Sequence, residues 1–321
     1  MRLLKFLAAA LLIAGVTVQA AWAQPWPNRP VRVLVGFAVG SGPDILARSV
    51  ASQLSIDLGQ QFFIENRTGA NGPIANAVLA RAEPDGHTLM FSSSSITPTP
   101  WVYKNLPYDL LKDIQPVATV GILDGLLLLV NPALPVRTVA ELIEHAKKHP
   151  IFYGSPGTGN NLHLVTEQFN VKAGVKIAHV PFKGSSEVVT ALLGGDIQVM
   201  FVTPPSVSAL VKDGKLRAIG FTGAKPFPEL PDVPLIMGTL PSFQVKGSWG
   251  MFFAPARTPA PIVNQLNAAI QKTLGVPAVA RVLQVAGYMP DGRDAAQTAQ
   301  FFREEVEEAA EAVRAAGIEP Q

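Results

Sequence analysis

Two glycine-rich turns constrain this chain more than any other feature. The first follows the apolar run 31–37, where Val31, Val33 and Val35 favour a buried strand. It contains Gly40, Ser41 and Gly42, then Pro43 and Asp44. Pro43 suits a first helical turn, and Asp44 complements the positive end of a helix dipole. The second follows Ile151, Phe152 and Tyr153 and runs from Gly154 through Ser155, Gly157, Thr158 and Gly159 to Asn161. A helix with Leu162, Val165 and Phe169 on one face comes next. Each unit is a strand, a turn and a helix start, an arrangement that aims backbone N–H groups at an anion or a carboxylate. Such turns are also the ordinary crossovers of α/β domains.

A chain of 321 residues, 48% hydrophobic and 16% charged, has material for two domains with ample cores. It has no cysteine, which removes disulfides, thiolate metal sites and a cysteine nucleophile. Residues 1–23 read as an export signal: Arg2 and Lys5 are the positive region, 6–16 the apolar segment, and Ala21 and Ala23 an A-x-A cleavage site. The apolar run is short for a membrane span. A mature chain beginning near Gln24, cleaved after Ala23, is expected in the periplasm without a membrane anchor. Its acidic and basic residues are equal in number, so no nucleic-acid or anionic-membrane partner is expected.

Further strands are expected at 62–66, 88–91, 151–153, 175–180, 197–201 and 216–221, alternating with helices. This pattern implies mostly parallel sheets, with polar loops at one strand edge where ligands bind. The long apolar stretch 117–130, interrupted at Asp124 and Gly125, reads as two strands meeting at a crossing between domains. Thr138 and Glu141 form a capping box. Residues 248–253 read as the second crossing, with only helices beyond it. The expected division is a signal at 1–23, a first lobe of 24–122 plus 250–321, and a second lobe of 123–249.

No catalytic constellation emerges. Val39 and Tyr153 occupy the first glycine positions of G-x-S-x-G around Ser41 and Ser155. Gly40 and Gly42, like Gly157 and Gly159, lack the third glycine of a dinucleotide fingerprint and the Lys-Ser/Thr of a phosphate loop. His145 and His149 stand four apart without an acidic pair, so no metal site is expected. His179, within a strand, reads as a structural histidine, and His163 as a residue at the edge of a site. No cofactor is expected. The alternative class is an exported serine hydrolase using Ser41 or Ser155 with His163.

Several short motifs then recur in a specific order: Pro27 to Pro30, Phe37 to Asp44, Glu65 to Arg67, Pro84 to Gly86, and Leu106 to Asp109. They continue with Tyr153 to Ser155, His179 to Gly184, Leu192 to Gly195, Leu230 to Pro234, and Trp249 to Pro255. On these the chain resembles the Bug/TctC family, the extracytoplasmic receptors of tripartite tricarboxylate transporters, from Trp26 to Ile318. The resemblance implies a two-lobed α/β binding protein of type II-like architecture, a monomer without enzymatic activity. It would close over a small organic carboxylate and deliver it to membrane transporter subunits, or to a sensor. It implies ligand contacts from Phe37, Gly40, Ser41, Gly42 and Asp44 on the first lobe and Ser155, Thr158 and His163 on the second. Ser92, Ser93, Ser94 and Thr203 would line the rest of the cleft. Two departures stand out: Ala38, Val39 and Ser41 interrupt the family's F-P-P-G-G-G-x-D, and Val202-Thr203 replaces an Asp-Asn pair. Val39, Val202 and Trp249 together point to a more apolar ligand than an amino acid or citrate.

Overall fold

A computed structural model describes residues 26–69, 72–243, 245 and 247–320. The export signal and its cleavage site lie outside the described residues. The first part of the chain runs β1 (Val31–Val35), α1 (Gly42–Leu58), β2 (Phe62–Asn66), α2 (Pro73–Ala80) and β3 (Thr88–Ser93). Short helices α3 (Thr99–Val102) and α4 (Leu110–Asp113) lead into β4 (Ile114–Leu123). The chain then crosses to β5 (Leu127–Val130), α5 (Val139–Lys148), β6 (Phe152–Ser155) and α6 (Asn161–Ala173). Next come β7 (Ala178–Pro181), α7 (Ser185–Gly194), β8 (Val199–Val202), α8 (Ser208–Lys212) and β9 (Arg217–Phe221). It returns through β10 (Trp249–Pro255), α9 (Ala260–Leu274), α10 (Pro277–Val285), β11 (Tyr288–Pro290) and α11 (Ala295–Ala315).

These elements make two lobes. The first sheet has the order β11-β4-β10-β3-β1-β2 and the second β7-β6-β8-β5-β9. Both are mixed, which corrects the expectation of mostly parallel sheets. β1 pairs in parallel with β2 and β3, and β6 with β7 and β8. β10 runs antiparallel to β3 and β4, and β5 antiparallel to β8 and β9. The reason is topological: the strand that follows each crossing, β5 and then β10, enters its sheet from the opposite end. The expectation of helices alone after the second crossing is also corrected, because β11 pairs with β4 at a sheet edge. Three residues are too few to show a strand period.

Helices cover both faces of each sheet. Leu46, Val50 and Leu54 of α1 pack with Leu266 and Ile270 of α9 on one face of the first sheet. Leu79 of α2 and Phe302 and Val306 of α11 cover the other. In the second lobe, Leu142, Val165 and Phe169 face one core, and Val188, Ala191 and Leu192 the other. α1 ends as its sequence demands, at Gly59 with φ of 68°. At α5, Thr138 Oγ1 accepts from the Glu141 N–H at 3.1 Å, but the Glu141 carboxylate reaches the Arg137 N–H rather than Thr138. The expected box is therefore displaced by one residue on its return side.

The crossings pack backbone against backbone. The Leu123 N–H donates to the Ser248 carbonyl at 2.7 Å, and the Leu126 N–H to Thr222 Oγ1 at 2.9 Å. A Cβ on Gly247 would collide with the Leu123 carbonyl, and one on Gly125 with the Gly223 backbone. Gly247→Ala is expected to destabilise the fold by ~2 kcal/mol or more in urea unfolding. Gly275→Ala, with φ of −81° and no close neighbour, should leave stability nearly unchanged.

Candidate functional site

Register places the polar loops on facing edges. Val35 pairs with Phe91, so the loop after β1 and the serines ending β3 leave the same edge of the first sheet. β6 and β8 run parallel, so the second glycine-rich loop and Thr203 share an edge of the second. Asn161 Nδ2 donates to Ser94 Oγ at 3.3 Å, joining one edge to the other. Ser94 Oγ also bonds Ser248 Oγ at 2.9 Å, and Ser93 Oγ bonds Ser95 Oγ at 2.7 Å. Ser92, Ser93 and Ser94 are all buried. Thr203 Oγ1 bonds Ser206 Oγ at 3.0 Å.

Asp44 shapes the first loop. Its carboxylate, 1% exposed, accepts from the Gly40 N–H at 2.8 Å, Arg48 Nε at 2.9 Å and Asn66 Nδ2 at 2.7 Å. Asn66 Nδ2 also donates to the Phe37 carbonyl at 3.0 Å, which ties the loop to β2. Burial would raise the Asp44 carboxyl, but the hydrogen bonds from Arg48, Asn66 and Gly40 outweigh it and hold the group below its ordinary value. Gly40 adopts φ of +79°, which favours glycine, and its N–H is spent on Asp44. The N–H groups of Gly42 and Asp44 enter no hydrogen bond among the described residues, and Ser41 Oγ is buried without a partner. These donors stand at the positive end of a 17-residue helix.

The second loop is held by two histidines. Ser155, fully buried, donates to the Gly157 carbonyl at 3.0 Å, and its Oγ lies 2.7 Å from His179 Nε2. The Gly159 N–H donates to His163 Nδ1 at 2.8 Å. The two imidazoles stack with centroids 4.0 Å apart and planes 14° apart, and Tyr153 stacks on His179 at 4.9 Å. The Tyr153 hydroxyl donates to Glu167 at 2.5 Å. Burial lowers His163 to about 4; burial, with His163 alongside, lowers His179 to about 4 as well. The Thr158 hydroxyl, half-buried, has no hydrogen bond among the described residues. Gly159 presses on Val102 of the first lobe, where Leu164 and Val313 complete a small apolar contact.

Sequence reasoning anticipated both loops but not their supports. Asn66, Asn161 and His179 act through contacts distant in sequence. The pairing of Tyr153 with His179 appears only once β6 and β7 are aligned. Val202 and Trp249 are each 1% exposed, and Trp249 Nε1 donates to Glu305 at 2.8 Å. The expectation of an apolar ligand therefore retains only Val39, which is 72% exposed.

Among the described residues Ser41 Oγ has no partner, and the histidine beside Ser155 is His179, with Nε2 at 2.7 Å. Ser155 has one proton, which its bond to the Gly157 carbonyl consumes, so His179 Nε2 must be the donor in their contact. His163 Nδ1 is occupied by Gly159. A cavity of about 540 Å³ adjoins the Ser94–Asn161 bridge, and its lining includes Asp124, Gln168, Glu305 and Glu308.

Asp44→Asn is expected to lower stability by about 1–3 kcal/mol and to speed amide exchange at Gly40. Urea unfolding and hydrogen exchange measure the two effects. Acid should act on the histidine pair. Histidines of an unfolded chain take protons near 6.5, whereas His163 and His179 resist to about 4. The unfolded state then binds more protons in that window, so stability is lost as pH falls through it, by at most about 1.4 kcal/mol per unit for each imidazole. Urea titrations at several pH values check this.

Among known proteins, the family described as "Tripartite tricarboxylate transporter family receptor" matches residues 46–318. A UPF0065 protein of Bordetella bronchiseptica is 34% identical, over 99% of this chain and 96% of its own. R. palustris Rpa4515, solved with adipate, superposes with a TM-score of 0.85 at 34% identity, covering 92% of this chain and all of that one. MatC of Rhodopseudomonas palustris, solved with bound malate, gives 0.80 at 30% identity, covering 90% of this chain and 100% of that one. The chain thus belongs to the tripartite tricarboxylate transporter family receptors, the Bug/TctC periplasmic solute-binding proteins.

Proposed function

We propose that this protein captures a small organic carboxylate between its lobes and delivers it to the membrane subunits of a tripartite transporter. The observation that carries this reading is the open helix start at the edge of the first sheet, where the buried Ser41 hydroxyl is unpartnered, with the second glycine-rich loop on the facing edge across the Ser94–Asn161 bridge. An anion accepted there satisfies groups that the protein itself leaves unpaired. Adipate in Rpa4515 and malate in MatC support a carboxylate as the ligand class.

In this reading Ser41 and the Gly42 and Asp44 N–H groups bind from the first lobe, and Thr158 from the second. Phe37 and Gly40 hold the first loop in place. Ser155 and His163 act by shaping the second loop. Ser92, Ser93, Ser94 and Thr203 border the cleft. Residues 24–122 and 250–321 form one lobe and 123–249 the other, and a single chain supplies both loops. No catalytic role is part of this reading, since Ser41 has no partner and Ser155 gives its proton to the Gly157 carbonyl while His179 Nε2 donates to it. Among the described residues no helix is long and apolar enough to cross a membrane, in keeping with a receptor that meets its transporter from the periplasm.

Thermal shift against a panel of mono-, di- and tricarboxylates tests the reading, with native mass spectrometry for retained ligand. One acid should raise stability by about 2.7 kcal/mol at ~100 Kd, a shift of several degrees. Ser41→Ala should weaken binding of that acid about tenfold while leaving the unliganded protein as stable as before, because it removes an unpaired buried hydroxyl. No shift with any carboxylate would overturn the proposal.

A further inference from the structure

We infer that His163 and His179 form a positioning pair that holds the second glycine-rich loop in its ligand-accepting shape only while Nδ1 of His163 is unprotonated. The inference rests on the reading of this loop as half of the ligand site. It concerns how the loop keeps its shape rather than what touches the ligand.

The two histidines hold the loop at different points and by opposite chemistry. His163 Nδ1 accepts the Gly159 N–H at 2.8 Å, so that nitrogen carries a lone pair and the ring proton sits on Nε2. A second proton on Nδ1 would set N–H against N–H and break the bond. His179 is a donor. Its Nε2–H meets Ser155 Oγ at 2.7 Å, since the serine's own proton goes to the Gly157 carbonyl at 3.0 Å. A proton added to His179 would leave that bond in place. It would put a charge against the His163 ring, whose centroid is only 4.0 Å away. His163 is thus the element that switches, and His179 the element that anchors.

The surroundings offer little to offset such a charge. From β6 comes Tyr153, which burial keeps neutral and whose hydroxyl donates to Glu167. From α6 comes Glu167 itself, already engaged by Tyr153 and by Asn170 Nδ2 at 3.3 Å. β7 has no other ionisable side chain, and neither does β8, which pairs with β6. Glu187 of α7 accepts from the Lys183 N–H at 3.1 Å. Glu305 and Glu308 of α11 line the cavity that α6 borders with Leu164, Val165 and Gln168. The lowered values of both histidines agree with this setting.

The loop needs such support. Gly157 and Gly159 adopt φ of +111° and +75°, and Gly159 is also the point at which the loop presses on Val102 of the opposite lobe. Releasing the Gly159 N–H therefore loosens the loop where the two lobes meet. Acidification should open the site from this side.

The test compares wild type with His163→Asn, His163→Phe and His179→Gln. Asparagine can place an uncharged acceptor near the Nδ1 position, and glutamine a donor near the Nε2 position. Phenylalanine keeps the stack and removes the acceptor. In the unliganded wild type, the Gly159 amide resonance should titrate with the same midpoint as the His163 ring nitrogens, and Nδ1 should be unprotonated near neutral pH. In His163→Asn that amide should not move with pH. In His163→Phe it should exchange at least tenfold faster than in wild type. With adipate as the probe, lowering the pH from neutral to about 4 should weaken binding about twofold more in wild type than in His163→Asn, a comparison in which titration of the acid itself cancels. His179→Gln should keep the wild-type Gly159 titration.

The inference is overturned if Nδ1 of His163 is protonated at neutral pH, or if Gly159 titrates alike in wild type and His163→Asn. Should His163→Phe fail to fold, the asparagine variant decides the matter alone. If adipate and every other carboxylate fail to bind while Gly159 still follows His163, the carboxylate reading falls and the positioning pair stands.

Discussion

Gly247 and Leu123 meet where the returning strand passes the departing one, and the contact leaves no room for even a methyl group. The rest of the architecture depends on this closeness. Gly125 and Gly223 repeat it a few residues away, and the Leu123–Ser248 hydrogen bond binds the two passes together. Two lobes with independent cores are thereby joined through bare backbone at one end. Among the described residues they also touch through Asn161 and Ser94, through the apolar group of Val102, Leu164 and Val313, and where Gly287 approaches Pro205. A tight joint at one end of two separate cores is the geometry in which rigid bodies open and close as units.

Each lobe invests its polar side chains in shaping a loop, and on the proposed reading mainly backbone N–H groups and hydroxyls are left for the ligand. In the first, one buried carboxylate gathers Gly40, Arg48 and Asn66. In the second, two neutral imidazoles divide the work between Ser155 and Gly159. An anion held this way meets dipoles rather than a formal positive charge. Selectivity then follows from the spacing of donors more than from total charge.

The strand–turn–helix units were legible because glycine, proline and β-branched residues report directly on local backbone geometry. The crossing at Asp124 and Gly125 showed for the same reason, as a break in an otherwise continuous apolar run. The strand directions were not legible: the antiparallel placement of β10 depends on the path of the whole second lobe. Within the site, Ser41 and Asp44 announce themselves beside their glycines. Asn66 and His179 do not, because each acts on a residue more than twenty positions away. Val202 and Trp249 misled by type: both are apolar, and both serve the interior of a lobe.

β10 occupies the middle of the first sheet, between β3 and β4, although it is made only after the entire second lobe. The second sheet, by contrast, is built from one continuous stretch, β5 through β9. As the chain is synthesised or emerges from an export channel, the second lobe can assemble from its own residues. The first lobe must meanwhile keep β3 and β4 apart with their facing edges unpaired. Its assembly is a late event of high contact order, and those waiting edges are where the unfinished molecule is most exposed to pairing with another chain.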